Sequence, residues 1–295
     1  MVLLMVDPVR VRALHAGGGL CGLGDAELEL LRRVDPRAWH TDPYRRARLL
    51  TTVIEELPVT VALLGAEADA FFSAPAFEAV VCGRGELVPA FAAWAAAGGS
   101  SGASPPRGRA ARAPEAPRAA ISAISAIEGA MAVARRARPP RGAGLALRPG
   151  AAVLRARAGA VDAWSSGLAA LAGGATDTLA AAARAVATGA TLRPPALGRG
   201  EACWLFLRGA DGGFSVSGLS HAMASLLELA RTPCPRGRLE RYLVDAGAGD
   251  EVDAILGDLL GDGTLIEAAP PRPTALTSAA GPGATPAGGA PAPGR

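Results

Sequence analysis

The chain has 295 residues, enough for about two domains of ordinary size and a substantial buried core. Its 30 basic residues are all arginine and face 27 acidic residues, so the net charge of +3 indicates no particular class of partner, and the lack of lysine excludes a P-loop nucleotide site. Only 4% of the residues are aromatic, and the apolar fraction of 50% owes much to alanine.

Residues 1–97 are predicted to form a small all-helical domain. Asp25 is placed to cap one helix, and the sequence Thr-Asp-Pro ending at Pro43 starts another that runs to about Glu56. Pro58 restarts the chain in a short helix that a glycine closes, and a further helix follows before residue 97. The bulky core residues of this domain are predicted to be Phe71, Phe72 and Phe77.

The middle of the chain reads as a linker followed by a connecting region. Residues 98–118 are rich in Gly, Ser, Pro and Arg without apolar periodicity, which is typical of a mobile interdomain linker. Residues 119–199 are predicted to hold helices and two short strands, Leu145–Leu147 and Val153–Arg157. The sequence Pro-Gly between the two strands predicts a turn that joins them.

Residues 200–269 carry the clearest pattern. The apolar run Cys203–Leu207 and the alternating run Phe214–Ser217 flank Ala-Asp-Gly-Gly and predict a β-hairpin. Three helices and a short strand at Thr264–Ile266 follow, which together predict a winged-helix-like domain. The remaining residues, 270–295, are a Pro, Ala and Gly tail expected to lack order. The fold class expected is mainly α with small β.

No catalytic or metal-binding constellation stands out in the sequence. Gly17–Gly22 matches the letters of GxGxxG, but the dinucleotide interpretation needs a preceding strand and βαβ units in a region that reads as helical. The histidines are predicted to be ordinary residues because they are isolated from one another and from carboxylates: His15, His40 and His221. Ser217 and Ser220 lack the final glycine of a nucleophile elbow and are better interpreted as helix caps.

Neither a membrane span nor a secreted framework is predicted. The longest apolar stretches fall far short of the ~20 residues that a spanning helix needs, and the first residues lack the pattern of a signal peptide. The cysteines are scattered without a CxxC pair, at Cys21, Cys82, Cys203 and Cys234. The chain is therefore expected to be cytoplasmic, with reduced cysteines, no cofactor of its own and no catalytic activity.

A winged-helix fold raises the hypothesis of DNA binding, which the charges oppose. Its last helix would enter the major groove, yet between Gly249 and Asp262 the sequence has five acidic residues and no arginine. Phosphate contacts supply most of the affinity for DNA, and carboxylates repel phosphate. A transcription regulator remains the alternative, and a small-molecule enzyme of unknown type is a third reading.

The same fold can instead bind a peptide by strand addition. The expected edge consists of Phe214, Ser215, Val216 and Ser217. The expected wall beside it is the helix that carries Asp253, Leu256 and Leu260, whose acidic character suits a basic ligand. At this stage the apolar positions are equally well explained as core residues.

Two parts of the chain resemble proteins of ribosomal-peptide (RiPP) maturation. The run from Trp204 to Val216, the sequence Leu-Ser-His-Ala-Met-Ala-Ser-Leu-Leu-Glu-Leu at 219–229 and the sequence Asp-Gly-Thr-Leu-Ile at 262–266 resemble the RiPP recognition element, similar to the small pyrroloquinoline-quinone chaperone. In the N-terminal part, Asp-Pro-Arg-Ala-Trp at 35–39 and Phe-Phe-Ser-Ala-Pro-Ala-Phe at 71–77 resemble the partner subunits of multinuclear non-heme iron-dependent oxidative enzymes (MNIO).

The resemblance implies a cytoplasmic, non-catalytic adaptor that forms a heterodimer with the iron enzyme. The C-terminal domain would hold the leader of a precursor peptide, the N-terminal helices would dock on the enzyme, and iron would belong to that partner and not to this chain. No nucleic acid or membrane partner is expected. The residues predicted to face the enzyme are Trp39, Tyr44, Arg45, Arg46, Arg48, Phe71 and Phe72.

Overall fold

The computed structural model describes residues 4, 7–20, 22–35, 43–99, 115–174, 177–194 and 196–268. The predicted tail and most of the predicted linker lie outside the described residues, as do Cys21, Trp39 and His40. The helix expected from Ala119 begins earlier, at Glu115.

The described chain is mostly helical, with two small sheets, so the prediction of a mainly α fold with small β is confirmed. The helices in chain order are α1 Pro8–His15, α2 Asp25–Arg32, α3 Pro43–Glu56, α4 Pro58–Leu64, α5 Pro75–Val81, α6 Leu87–Ala96, α7 Glu115–Arg136, α8 Ala160–Gly174, α9 Thr178–Thr188, α10 His221–Leu229, α11 Arg236–Asp245 and α12 Val252–Gly261. The strands are β1 Gly144–Leu147, β2 Ala151–Arg157, β3 Glu201–Arg208, β4 Phe214–Leu219 and β5 Leu265–Ala268. Gly65–Ser73 and Gly249–Glu251 are 3₁₀ segments.

An aromatic cluster fills the helical core, because the alanine-rich helices supply little volume of their own. The rings of Phe71, Phe72, Phe77, Phe91 and Trp94 pack mainly edge to face, with centroids 5.0 to 5.7 Å apart. Helices α3 to α6 surround this cluster, together with residues of α8 and α9. Helices α8 and α9 follow β2 in sequence but pack on the N-terminal helices.

Helix α7 is shared between the helical core and the sheet. Ile124 packs into the helical core, whereas Ile127 and Met131 belong to the cluster beneath the sheet. Gly129 lies so close to α6 that a Cβ at this position would meet the Cβ of Ala92 at 2.7 Å. Any side chain at residue 129 would therefore push the two helices apart.

The two strands of the connecting region do not form the hairpin that the turn suggests. The turn exists, with Gly150 at a φ of +85°, but β1 pairs antiparallel with β5, and β2 pairs antiparallel with β3. The predicted β3–β4 hairpin is present, so the larger sheet has the order β2-β3-β4. Pairing with separate partners places Leu145 and Leu147 of β1 and Val153 of β2 in the buried cluster of the C-terminal helices.

Both faces of strand β3 are covered. Phe206 lies on the face that packs against α7 and α8, where Trp164 meets its ring edge to face with centroids 6.5 Å apart. Cys203 and Leu205 lie on the opposite face and pack against α10, α11 and α12. Alternation of side chains along β3 thus joins two cores through one strand.

No single helix in the described ranges has the length and apolarity to cross a bilayer. The segments Arg45–Glu56 and Pro58–Ser73 reach the length and composition only as a pair, with a bend of 118° between them.

A buried carboxylate connects α7 to the start of α4. Glu128 accepts hydrogen bonds from the backbone N–H groups of Val59 and Thr60, at 3.1 and 2.9 Å. Both are amides of the first turn of α4, which have no partner within the helix. Burial raises the pKa of Glu128 from 4.5 to about 7, even though these hydrogen bonds act in the opposite direction.

The raised pKa of Glu128 predicts that the protein loses stability as the pH rises. Between pH 4.5 and about 7 the folded state binds more protons than the unfolded state, so the free energy of unfolding decreases across this range. The loss is about 3 kcal/mol in total, at ~1.4 kcal/mol per pKa unit. Glu128→Gln should remove most of it, as measured by chemical denaturation at about pH 5 and about pH 8. The control is Glu55→Gln at an exposed position, and an unchanged pH dependence in Glu128→Gln would contradict the prediction.

Candidate functional site

Strand β4 is an edge strand whose outer backbone groups are open. The hydrogen bond from Gly209 N to Gly213 O fixes the alternation, so the odd-numbered residues of β4 direct their N–H and C=O groups toward β3. Phe214, Val216 and Gly218 direct theirs away from the sheet, and these groups have no partner among the described residues. The predicted edge therefore offers alternating donors and acceptors to an added strand.

The side chains of β4 differ between the two faces of the strand. Phe214 and Val216 pack toward α7, where the guanidinium of Arg135 lies 5.3 Å from the Phe214 ring centroid. Ser215 and Ser217 point to the opposite face and are exposed. One face thus anchors the strand in the core, while the other leaves room above two hydroxyl groups.

Only part of the predicted ligand-binding wall on α12 is exposed to solvent. Asp253 is 91% exposed, and its carboxylate pairs with the guanidinium of Arg236 at 2.6 Å. Leu256 is fully buried, so the expectation that it contacts a ligand is wrong; it is a core residue of α12. Leu260 is half-buried and packs on the cluster that also receives Leu219 at the end of β4.

The charge of this wall is more balanced than the sequence of α12 alone indicates. Arg236 lies on α11 and also bonds to Glu240 at 2.7 Å, and these two carboxylates raise the pKa of its guanidinium. An arginine from the neighbouring helix therefore offsets part of the negative charge of Asp253.

Strand β2 provides a second open edge, which the sequence interpretation missed. The outward N–H groups of Val153 and Arg155 have no partner within the described ranges, and the Val153 carbonyl accepts a hydrogen bond from Arg231 at 2.7 Å. A groove of about 660 Å³ runs between this strand and helices α6 and α7. Small apolar residues line most of it, together with three basic side chains, Arg138, Arg148 and Arg231.

Of the residues predicted to face a partner enzyme, two lie in the core. Phe71 and Phe72 have no exposed surface, so the expectation that they contact a partner is wrong. The reason is packing: in a chain with few aromatic residues, these rings fill the centre of the helical domain.

The arginines of α3 differ in how far their side chains are exposed for contact with a partner protein. Arg46 donates to Asp69 and lies over the Phe72 ring at 5.2 Å, which makes it a support for the core. Arg45 is half-buried, whereas Arg48 is exposed. Trp39 and the side chain of Tyr44 lie outside the described residues.

The structure also shows the surroundings of two sequence features that are not predicted to bind a ligand, the glycine-rich segment after α1 and Ser220. The glycines at 17–19 follow helix α1 and, within the described residues, no strand precedes them, so the dinucleotide interpretation lacks its first requirement. Ser220 accepts a hydrogen bond from Met223 N at 3.1 Å and caps α10, as predicted for one of the two serines.

The sheet also brings together ligand-type residues that the sequence interpretation treated as isolated. Glu201, Cys203 and His221 place a carboxylate oxygen, a thiol sulfur and an imidazole nitrogen within 4.8 Å of one another. They are separated in sequence by up to 20 residues, and only the β3–β4 pairing unites them.

A scan against protein-family models and a search of curated proteins gave no match for this chain.

The buried position of Phe72 predicts a large stability cost on truncation. Phe72→Ala should lower the free energy of unfolding by about 3–5 kcal/mol, because it leaves a cavity within the aromatic cluster. Arg48→Ala at the exposed surface of the same domain should change it by at most about 0.5 kcal/mol. Denaturant titration of both variants tests this, and a cost below ~1 kcal/mol for Phe72→Ala would show that the ring is not a core residue.

Proposed function

We propose that this protein is a non-catalytic, cytoplasmic adaptor that presents a ribosomally made precursor peptide to an iron-dependent oxidative enzyme of the MNIO type. The single observation that carries the proposal is the open outer edge of β4, in an antiparallel sheet that is followed by three helices. The residue patterns that resemble a RiPP recognition element and an MNIO partner subunit supply the chemical identity of the two partners.

The interpretation of the C-terminal part as winged-helix-like is supported by its element order. Strands β2, β3 and β4 precede α10, α11 and α12, and β5 closes the unit by pairing with β1. In this interpretation β2 takes part in the peptide-recognition domain, although it lies 44 residues before β3 in sequence, counted from Arg157 to Glu201.

Strand addition at β4 would use backbone groups for affinity and neighbouring side chains for selectivity. Each new backbone hydrogen bond contributes only about 0.5–1.5 kcal/mol net, so a short added strand binds weakly on its own. An adaptor gains its effect by holding the peptide next to the active site, which raises its effective concentration there. Asp253 on α12 would favour a basic side chain in the peptide.

The proposed enzyme-facing surface is the exposed side of α3, where Arg48 is the clearest candidate. Arg45 lies three residues earlier on the same helix and is half-buried. In this proposal iron and the oxidative chemistry belong to the partner enzyme, and the heterodimer brings the peptide to that centre.

Gly218 allows a direct test of strand addition, because its N–H points outward and has no partner in the part of the chain that the structure describes. Gly218→Pro removes this donor, whereas Gly218→Ala retains it, and a Cβ here would make only an ordinary contact with Trp204 at 3.8 Å. We expect Gly218→Pro to weaken binding of a ribosomally made precursor peptide with a basic leader by about tenfold or more and Gly218→Ala to have little effect. Fluorescence anisotropy of the labelled peptide measures both affinities.

The second edge supplies the matched control. Arg157 at the end of β2 is exposed and directs its N–H away from β3. If β4 is the binding edge, the Arg157→Pro and Arg157→Ala variants should bind the peptide with the same affinity. A loss of affinity in Arg157→Pro, with Gly218→Pro unaffected, would place the peptide on β2 and contradict the assignment to β4.

Charge reversal at Arg48 tests the proposed enzyme surface. Arg48→Glu should reduce co-elution with an MNIO-type iron enzyme and slow its turnover of the peptide, while peptide affinity of the adaptor alone stays unchanged. Arg241→Glu, an exposed reversal on α11, is the matched control and should not affect co-elution. Equal effects of both reversals would mean that net charge, and not an α3 interface, governs the association.

The adaptor proposal as a whole is tested by reconstitution. The purified chain should co-elute with an MNIO-type iron enzyme and increase its turnover of a ribosomally made precursor peptide. Failure of both, together with a salt-dependent gel shift on duplex DNA, would instead support the transcription-regulator alternative.

A further inference from the structure

The junction between β4 and α10 brings a carboxylate, a thiol and an imidazole onto one face of the sheet. The β3–β4 register pairs Cys203 with Leu219, so its continuation by two residues sets Glu201 opposite His221. Glu201 and Cys203 are two residues apart on one strand and therefore point to the same face. The fold, and not a local sequence motif, thus assembles this group.

The distances suit a small tetrahedral centre after minor adjustment. The Nε2 atom of His221 lies 3.6 Å from Oε1 of Glu201, and all three ligand atoms lie within 4.8 Å of one another. Ligands at ~2.0–2.3 Å from a tetrahedral zinc ion are about 3.3–3.7 Å apart. Because His221 and Glu201 are 63% and 53% exposed, their side chains have the freedom to close the remaining gap.

The thiol lies on the inner side of the group. Cys203 is 2% exposed and belongs to the cluster formed by the sheet and the C-terminal helices. A thiolate with one imidazole and one carboxylate is the donor set that zinc accepts, and three protein ligands leave a fourth position for water.

Arg155 is the cation that competes for this group. Its guanidinium lies 3.9 Å from Glu201, but its closer partners are Glu228 at 3.1 Å and the hydroxyl of Ser225 at 2.6 Å. Glu228 is the main cause of the raised pKa of Arg155. With Arg155 held by Glu228 and Ser225, Glu201 retains an oxygen for another cation.

We propose that Glu201, Cys203 and His221 form a site for a single zinc-class divalent ion at the junction of β3, β4 and α10. The ion would link the first residue of α10 to β3 and so stabilise the helix next to the open edge. Because the thiol must lose its proton to bind, the affinity increases with pH.

Cobalt is the probe, since it replaces zinc in such sites and reports thiolate ligation by a charge-transfer absorption band. The reduced full-length chain, freed of metal, should bind one equivalent of Co²⁺ with this band, and Zn²⁺ should displace it. His221→Ala and Glu201→Ala should each weaken Zn²⁺ binding by at least about 100-fold in a competition with a chromophoric chelator, because loss of an outer hydrogen-bond partner alone costs ~10–100-fold. Cys203→Ser should remove the band.

The controls separate this site from general thiol binding. Cys82→Ser, at a thiol outside the cluster, should keep the stoichiometry, the affinity and the band. Zn²⁺ should raise the thermal midpoint of the native chain and not that of His221→Ala, which is a surface change that leaves the fold intact. The absence of a thiolate band, or an unchanged affinity in both His221→Ala and Glu201→Ala, would overturn the proposal.

Discussion

The packing of α7 against two cores is the interaction on which the rest of the structure depends. One face of this helix joins the aromatic cluster of the N-terminal helices, and the next turns cover the sheet from below. Its buried Glu128 binds the first amides of α4, so the same helix also fixes a helix start 68 residues away. Because alanine contributes little volume, the position of each large residue on α7 determines which core it stabilises.

The antiparallel hydrogen-bond pattern then decides what the surface offers. In such a pair, the backbone groups of alternate residues are used inside the sheet, and those of the others point outward. Outer strands β2 and β4 therefore each direct alternate backbone groups away from the sheet, and the side chains around them differ. The β4 edge has exposed serines, whereas the β2 edge borders an apolar groove with arginines. This difference in surroundings is the basis for assigning a role to one edge.

The same pairing explains why Glu201, Cys203 and His221 converge. Nothing in their spacing resembles a metal-binding motif, and the helix that contains His221 begins directly after the strand that pairs with β3. A carboxylate and a thiol on one strand meet an imidazole from the next element only through the register of the hairpin. Arg155 of β2 approaches these three residues, and Glu228 of α10 accepts a hydrogen bond from its guanidinium.

Local signals in the sequence determined the element boundaries: Pro43, Pro58 and the glycine at 65 set helix ends, and the Asp-Gly-Gly turn set the β3–β4 hairpin. These features depend on backbone conformations that a few residues fix by themselves. Strand partners, the burial of Phe71, Phe72 and Leu256, and the Arg236–Asp253 pair were decided only in the tertiary structure. An apolar residue has the same pattern in sequence whether it faces the core or a ligand, and a charge has no visible partner until distant helices are brought together. The edge at β4 could be predicted because a local turn sets the β3–β4 hairpin. The edge at β2 could not, because it depends on the pairing of β2 with β3, which lies far away in sequence.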